Sequence, residues 1–157
     1  MIVLKFDTQI KGTCTEPNHE DSITLESYTF SSSRYVQIND GERETGVANL
    51  SELVLTKLAD ISSPELFLQS CNGKSLGTAT LSVLQTGGST EKPQVYLTVI
   101  LSDALITGYL VEGLVGRPTE RIHVSFTKIK YKYIEFSGDV KKAPVEKTYN
   151  IKTRSAE

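Results

Sequence analysis

Residues 121–131 read Arg-Ile-His-Val-Ser-Phe-Thr-Lys-Ile-Lys-Tyr, a run in which apolar and polar side chains alternate. The apolar residues fall on even positions up to Phe126 and on odd positions from Ile129. Side chains of a strand point alternately to its two faces, so this change of phase near Thr127 and Lys128 predicts a β-bulge or a crossing between two sheets.

A second stretch, Ser22–Phe30, shows the same change of phase, with Ile23 and Leu25 followed by Tyr28 and Phe30. Corners of this kind are typical of barrels and orthogonal sandwiches. Short alternating runs bounded by Gly, Pro, Asn and Ser predict strands along most of the chain. The predicted strands are Ile2–Ile10, Ser22–Phe30, Arg34–Ile38, Glu52–Leu58, Gly77–Thr86, Gln94–Leu101, Ala104–Val111, Arg121–Ile134 and Lys147–Thr153.

The series predicts an all-β, mainly antiparallel fold: a two-sheet β-barrel formed by one domain over residues 1–157. One short flanking α-helix is predicted at about residues 64–72. Ser63 is expected to be its N-cap, Pro64 its first residue, and Gly73 its stop signal. Phe67 and Cys71 are four residues apart, which predicts a helix face that covers the barrel.

Three polar stretches are predicted to be loops. Thr86–Pro93 contains two adjacent glycines between alternating runs and is expected to be a hairpin loop. Gly12–Asp21 is acidic, and Asn39–Asn49 is long for a hairpin loop and carries mixed charge. Loops of that length often have a function.

Composition excludes several classes of protein. The 157 residues are 38% hydrophobic and 23% charged, which is ordinary for a folded globular protein. No apolar run is long enough to insert into a membrane, and the first residues do not resemble a Sec signal peptide. The net charge of −2 is dispersed, and the lysines of residues 128–132 alternate with apolar residues along one solvated strand face, so nucleic acid is not an expected partner.

No pattern in the sequence predicts an active site or a cofactor. His19 lies beside Glu16, Glu20 and Asp21, but their spacing matches no metal-ligand pattern, so no metal is expected. His123 is expected on the polar side of its strand. The two cysteines, at positions 14 and 71, belong to no C-x-x-C pair and are interpreted as free thiols.

One stretch carries a recognisable pattern: Thr56-Lys57, then Asp60, then Ser63-Pro64-Glu65-Leu66 at the predicted junction of strand and helix. It resembles the haemolysin-coregulated protein family, the tube subunit of the bacterial type VI secretion system. Further segments are similar to the family's strands in the same order, although the chain has no Trp where the family often has one. These segments are residues 23–30, 94–101, 106–109, 120–126 and 147–151.

The resemblance implies a non-enzymatic subunit that forms a homohexameric ring. Such rings stack into a tube inside a contractile sheath with a spike at its tip, and the tube carries effectors. The subunit is then found in the bacterial cytoplasm and, after contraction, outside the cell, without a Sec signal peptide. The implied partners are further copies of the chain and the sheath, spike and effector proteins.

Within such a ring, Thr29 and Ser31 are expected to face the lumen, opposite Tyr28 and Phe30. The predicted loop 39–49 is expected to project along the ring axis and contact the next ring. Two alternatives remain: a stand-alone β-barrel that binds a ligand, and a phage-type tail-tube subunit. The charges expected at the stacking contact are those of Asp40, Glu42, Arg43 and Glu44.

Overall fold

The computed structural model describes residues 1–89 and 92–157 of the chain. These residues form short and medium-length strands and one helix, α1 (Ser63–Asn72). The strands are β1 (Ile2–Phe6), β2 (Ile23–Leu25), β3 (Ser27–Thr29), β4 (Ser32–Asn39), β5 (Glu42–Leu50), β6 (Leu53–Leu58), β7 (Ala79–Thr86), β8 (Pro93–Ser102), β9 (Leu105–Glu112), β10 (Thr119–Ser125), β11 (Lys128–Tyr133), β12 (Phe136–Ser137), β13 (Val140–Lys141), β14 (Val145–Asn150) and β15 (Ser155–Ala156).

Two antiparallel sheets face each other. The large sheet has the strand order β15-β14-β11-β8-β7-β1-β2, and the small sheet has the order β3-β6-β10-β9. Their inner faces share one apolar core that takes buried side chains from both sheets and from α1, among them Leu4, Leu55, Val99, Ile122 and Leu66. The all-β class with one short helix is therefore confirmed, although among residues 1–89 and 92–157 hydrogen bonds do not join the two sheets into a continuous barrel.

Both changes of phase are crossings between the sheets, which is one of the two alternatives predicted for them. The chain leaves the large sheet at the end of β2 and enters the small sheet at β3. It returns from β10 to β11 across Phe126 and Thr127, where the apolar side chains change parity. A third crossing joins β8 to β9 through Asp103, whose φ of +56° makes the sharp corner. The parity of the inward-facing residues changes at these corners, for example from Ile122 and Val124 in β10 to Ile129 in β11.

The prediction of a loop at residues 39–49 is wrong, because most of that stretch is strand β5 in a hairpin with β4. Asp40 and Gly41 form the two-residue turn, with φ values of +48° and +84°. Positive φ at both positions is the geometry of a type I′ turn, for which Asp-Gly is a standard sequence. The charged composition of the strand concealed this signal.

The hairpin extends the small sheet. Strand β3 pairs with β6, for example Thr29 with Val54, and the same two chain segments continue as the β4–β5 pair from Ser32 and Leu50 onward. All eight residues of β4 are exposed. The result is a two-stranded ribbon that projects beyond the core of the two sheets.

Helix α1 begins one residue earlier than predicted. Ser62 is the N-cap and makes no side-chain capping bond, whereas the hydroxyl of Ser63 accepts the backbone N–H of Asp60. Gly73 ends the helix with φ +62°, as predicted. The expected covering face is wrong: Phe67 and Cys71 are exposed, and the helix is anchored by Leu66, which is fully buried.

The remaining loops and the C-terminus are held by hydrogen bonds. In the acidic loop 12–21, backbone bonds join Gly12 to Asp21 and Cys14 to Ser22. The strand predicted at Lys147–Thr153 is β14, Val145–Asn150. The tail folds back on it as β15, where fraying was expected at residues 154–157. The predicted hairpin loop 86–93 includes Thr90 and Glu91, which lie outside the described residues.

Candidate assembly surfaces

A row of four residues crosses the solvent-facing side of the small sheet. Thr29, Val54, His123 and Gly108 lie side by side across the four strands. The imidazole of His123 lies over Gly108, because a Cβ at that glycine would be only 3.4 Å from the ring. Thr29 thus lies on the exposed face, opposite the half-buried Tyr28, as the alternation predicted.

A cluster on this face joins two residues that the sequence did not single out. Glu52 accepts a hydrogen bond from the hydroxyl of Thr107 at 2.8 Å, and its other oxygen lies 3.4 Å from Nδ1 of His123. Ser31 is exposed where the face meets the hairpin, and its N–H donates to the hydroxyl of Ser51 at 2.7 Å. The face is therefore hydrophilic, with small hydroxyl side chains and a partly exposed contact between Glu52 and His123.

The hairpin has two unlike faces. Ile38 pairs with Arg43 and Val36 pairs with Thr45, and directly paired residues share a face. The opposite face carries Gln37, Asn39, Glu42 and Glu44, while Asp40 lies in the turn. The four charges predicted for the stacking contact are all exposed, but they are divided between both faces and the tip. In the described part of the chain, none of the four forms an ion pair.

A buried polar network lies between the small sheet and α1. The side chain of Lys57 is 0% exposed, and its Nζ lies 2.6 Å from Glu120 Oε2 and 2.9 Å from Asp60 Oδ1. Nζ also donates to the Ser63 hydroxyl at 3.2 Å, and the Tyr109 hydroxyl donates to the second oxygen of Glu120. The network ties three strands to the start of the helix, and it joins Lys57, Asp60 and Ser63 of the family motif.

Two pKa values reflect this network. Burial by itself raises the pKa of Asp60, but hydrogen bonds from Ser62 and Lys57 and the charge of Lys57 outweigh burial and lower it. Burial, together with the hydrogen bond to Glu120, raises the pKa of Tyr109 well above its usual range. Asp60 is thus held as a carboxylate and Tyr109 as a neutral donor, which keeps every bond of the network satisfied.

A signal for the network was present in the sequence. Leu53, Leu55 and Lys57 share one parity of β6, and Glu120, Ile122 and Val124 share one parity of β10. The two charged residues therefore continue the inward faces of their strands, and register places them opposite each other.

The structure also gives the positions of the residues that were considered for a metal site and of the two cysteines. No group of three or more His, Cys, Asp or Glu side chains that could hold a metal occurs in residues 1–89 and 92–157. His19 instead takes part in the backbone bonds of its own loop, donating to the Glu16 carbonyl. Both cysteines are free, with Cys14 buried and Cys71 exposed. No helix within the described ranges has the length and apolar character that spanning a membrane requires.

Comparison with known proteins identifies relatives over most of the chain. Residues 3–133 match the family model described as Type VI secretion system effector, Hcp. A curated relative, protein hcp1 of Pseudomonas aeruginosa PAO1, is 30% identical over 108 residues, a match that spans 66% of this chain and 65% of that protein.

Solved structures share the fold along nearly the full length. A type six secretion system protein superposes with a TM-score of 0.86 at 19% identity, covering 99% of this chain and 98% of the other. Hcp1 from Salmonella typhimurium gives 0.80 at 21% identity, with coverage of 99% and 97%. A type VI secretion system effector from Yersinia pestis gives 0.75 at 23% identity, with coverage of 96% and 99%.

Proposed function

Because the chain belongs to the Hcp family of type VI secretion proteins, we propose that it is a structural subunit that forms a hexameric ring and stacks into the inner tube of the secretion system. The tube carries effectors through its lumen and leaves the cell when the sheath contracts. The observation that supports this most directly is the projecting β4–β5 hairpin, which is long and largely exposed.

The exposed face of the small sheet suits a lumen wall. Thr29 and Ser31 present hydroxyl groups, and Glu52 and His123 form a pair that keeps the adjoining surface hydrated. Hydroxyl groups and partly solvated charges bind passing side chains weakly, since exposed ion pairs and hydrogen bonds compete with water. A wall of this kind contacts cargo weakly, so that the cargo can leave the lumen again.

The hairpin suits a contact between successive rings. Asp40 at the tip and the acidic face with Glu42 and Glu44 are free to meet basic groups on the next ring, and Arg43 provides the opposite charge on the other face. Contacts between exposed charges are screened at high ionic strength. Stacking is therefore reversible, as a tube that disassembles after export requires.

A shortened hairpin tests this assignment. Replacing Gln37–Glu44 with Asn-Gly keeps the pair Val36 and Thr45 and joins them by a type I′ turn. Light scattering should report a ring of six subunits for both wild type and variant, and negative-stain microscopy should show tubes for wild type only. Loss of rings together with tubes in the variant would mean that the hairpin acts within the ring.

A stand-alone ligand-binding barrel is the second candidate, because one apolar groove is large enough for a small molecule. The groove has a volume of about 670 Å³ and is lined by residues such as Phe30, Leu50, Tyr131 and Tyr149. A wild-type protein that is monomeric by light scattering at all concentrations would favour this reading over the tube.

A further inference from the structure

The two edges of the large sheet differ in length. One edge is β2, which has only three residues, and the other is formed by β14, which has six residues, with the short β15 beside part of it. An edge strand presents unpaired N–H and C=O groups to which strands of other chains can add, and a very short edge strand reduces that risk. The edge at β14 is therefore the one that needs protection.

The two halves of β14 are protected in different ways. The first half contains the charged residues Glu146 and Lys147, and no strand of the described part of the chain pairs with it on the side away from β11. Charged side chains on an edge strand oppose the addition of another strand. The second half, residues 148–150, reads Thr-Tyr-Asn and carries no charge. This uncharged half is the part that β15 covers, with Tyr149 opposite Ala156.

The segment that covers this half is anchored in the core at its start. We call residues 151–157 the tail strap. Ile151 packs against the apolar core, and its N–H donates to the Thr127 carbonyl. In the turn that follows, the side-chain oxygen of Asn150 accepts two backbone N–H groups, and Arg154 adopts a φ of +56°. The tail strap therefore turns back sharply and lies along β14.

The far end of the tail strap is held by one carboxylate. The N–H of Glu157 donates to the Thr148 carbonyl at 3.0 Å. The Glu157 carboxylate accepts a hydrogen bond from Asn150 Nδ2 at 2.8 Å and lies 2.6 Å from Lys128 Nζ, and these two donors lower its pKa. We call these side-chain contacts of Glu157 the latch. Because Lys128 and Glu157 are both partly exposed, the latch is weak enough to open.

We propose that the tail strap guards the uncharged half of β14 against strand addition by other copies of the chain, and that the latch keeps it closed. Opening the strap uncovers backbone groups of residues 148–150 beside the apolar groove, which Tyr149 and Ala156 line. A strand added there gains backbone hydrogen bonds and apolar contacts together. The inference goes beyond the proposed tube, because it concerns an association that the fold prevents.

A charge reversal tests the latch. In Glu157→Lys, amide hydrogen exchange of the tail strap, measured by mass spectrometry, should become faster by up to about tenfold, because the change removes an attraction and adds a repulsion. Combining it with Lys128→Glu should restore slow exchange. Glu146→Lys is the matched control: it makes the same change of charge on β14, where Glu146 lies 3.6 Å from Lys130 and 3.8 Å from Lys132, and it should leave the exchange of the strap unchanged.

Self-association tests the guarding role. With the shortened hairpin, for which no tubes are expected, Glu157→Lys should form larger species than its parent as concentration rises, as followed by sedimentation velocity. Adding Thr148→Glu, which places a charge in the uncovered half opposite Lys130, should suppress these species while exchange stays fast. Fast exchange without larger species would overturn the guarding role, and unchanged exchange would overturn the latch. A wild type without rings contradicts the proposed function alone, because neither readout needs a ring.

Discussion

Charged side chains occur both in the buried network beside α1 and on the β4–β5 hairpin, with opposite physical consequences. Lys57 and Glu120 are fully buried and locked by hydrogen bonds, whereas Arg43, Glu42 and Glu44 are exposed and free. A buried charge that loses its partner is strongly destabilising, while an exposed one changes little. The comparison shows that the interior charges hold the fold and that the hairpin charges are available to other molecules.

The largest expected effect comes from breaking the buried pair. Lys57→Met leaves Glu120 and Asp60 without their cation, and such changes typically cost about 3–5 kcal/mol of the free energy of unfolding. Urea denaturation followed by circular dichroism measures the change. Arg43→Met on the hairpin is the matched control and should leave the free energy of unfolding nearly unchanged.

A companion variant separates loss of the pair from loss of packing. In Lys57→Met with Glu120→Leu, neither side chain is charged, so much of the lost stability should return. If the double variant is as unstable as Lys57→Met alone, the bonds to Asp60, Ser63 and Tyr109 contribute more than the pair itself.

A smaller effect is expected from pH. The pKa of Asp60 is lowered in the folded state, so its ionised form stabilises the protein above the unfolded-state pKa, and this contribution is lost as pH falls through the folded value. Asp60→Asn should therefore be less stable than wild type at pH 7, and the gap should narrow below about pH 4. Thermal melts across that range provide the measurement; a constant gap would contradict the role of the charge.

The smallest effect on stability is expected from the hairpin carboxylates. Glu42→Gln with Glu44→Gln should change the free energy of unfolding by no more than about 0.5 kcal/mol. If these charges act between rings, the same variant should make tube formation less dependent on salt concentration, as followed by light scattering. Unchanged salt dependence with tubes intact would remove them from the stacking contact.

Local sequence patterns detected both phase changes and the first strand of the hairpin, but they predicted a loop where β5 lies. The parity changes at Thr127 and within Ser22–Phe30 follow from the geometry of a single strand, so neighbouring residues suffice to detect them. The β4–β5 hairpin is a ribbon without a buried face, and polar and charged residues occur on both of its sides. The alternation of apolar and polar residues that usually identifies a strand is therefore weak in this stretch. Only the Asp40-Gly41 turn marked it.

Some residues of the candidate surfaces could also be predicted from local patterns, and others could not. Alternation placed Thr29 opposite Tyr28, and the exposed face followed from that. The cluster of Glu52, Thr107 and His123 joins residues from three separate segments, so no local pattern contains it. The choice of Phe67 as the covering residue of α1 failed because helix spacing defines a face but not its direction. Tertiary packing turned Leu66 inward instead.

By itself the sequence determined an all-β chain with two changes of strand phase, one helix with its stop signal and a family motif at Thr56-Lys57, since each depends on neighbouring residues alone. Only the tertiary structure decided that both phase changes are crossings between sheets, that Lys57 meets Glu120, that the charged stretch is a projecting ribbon, and that an apolar groove forms beside its base. These features depend on residues far apart in the chain, and strand register and the packing of two sheets bring them together.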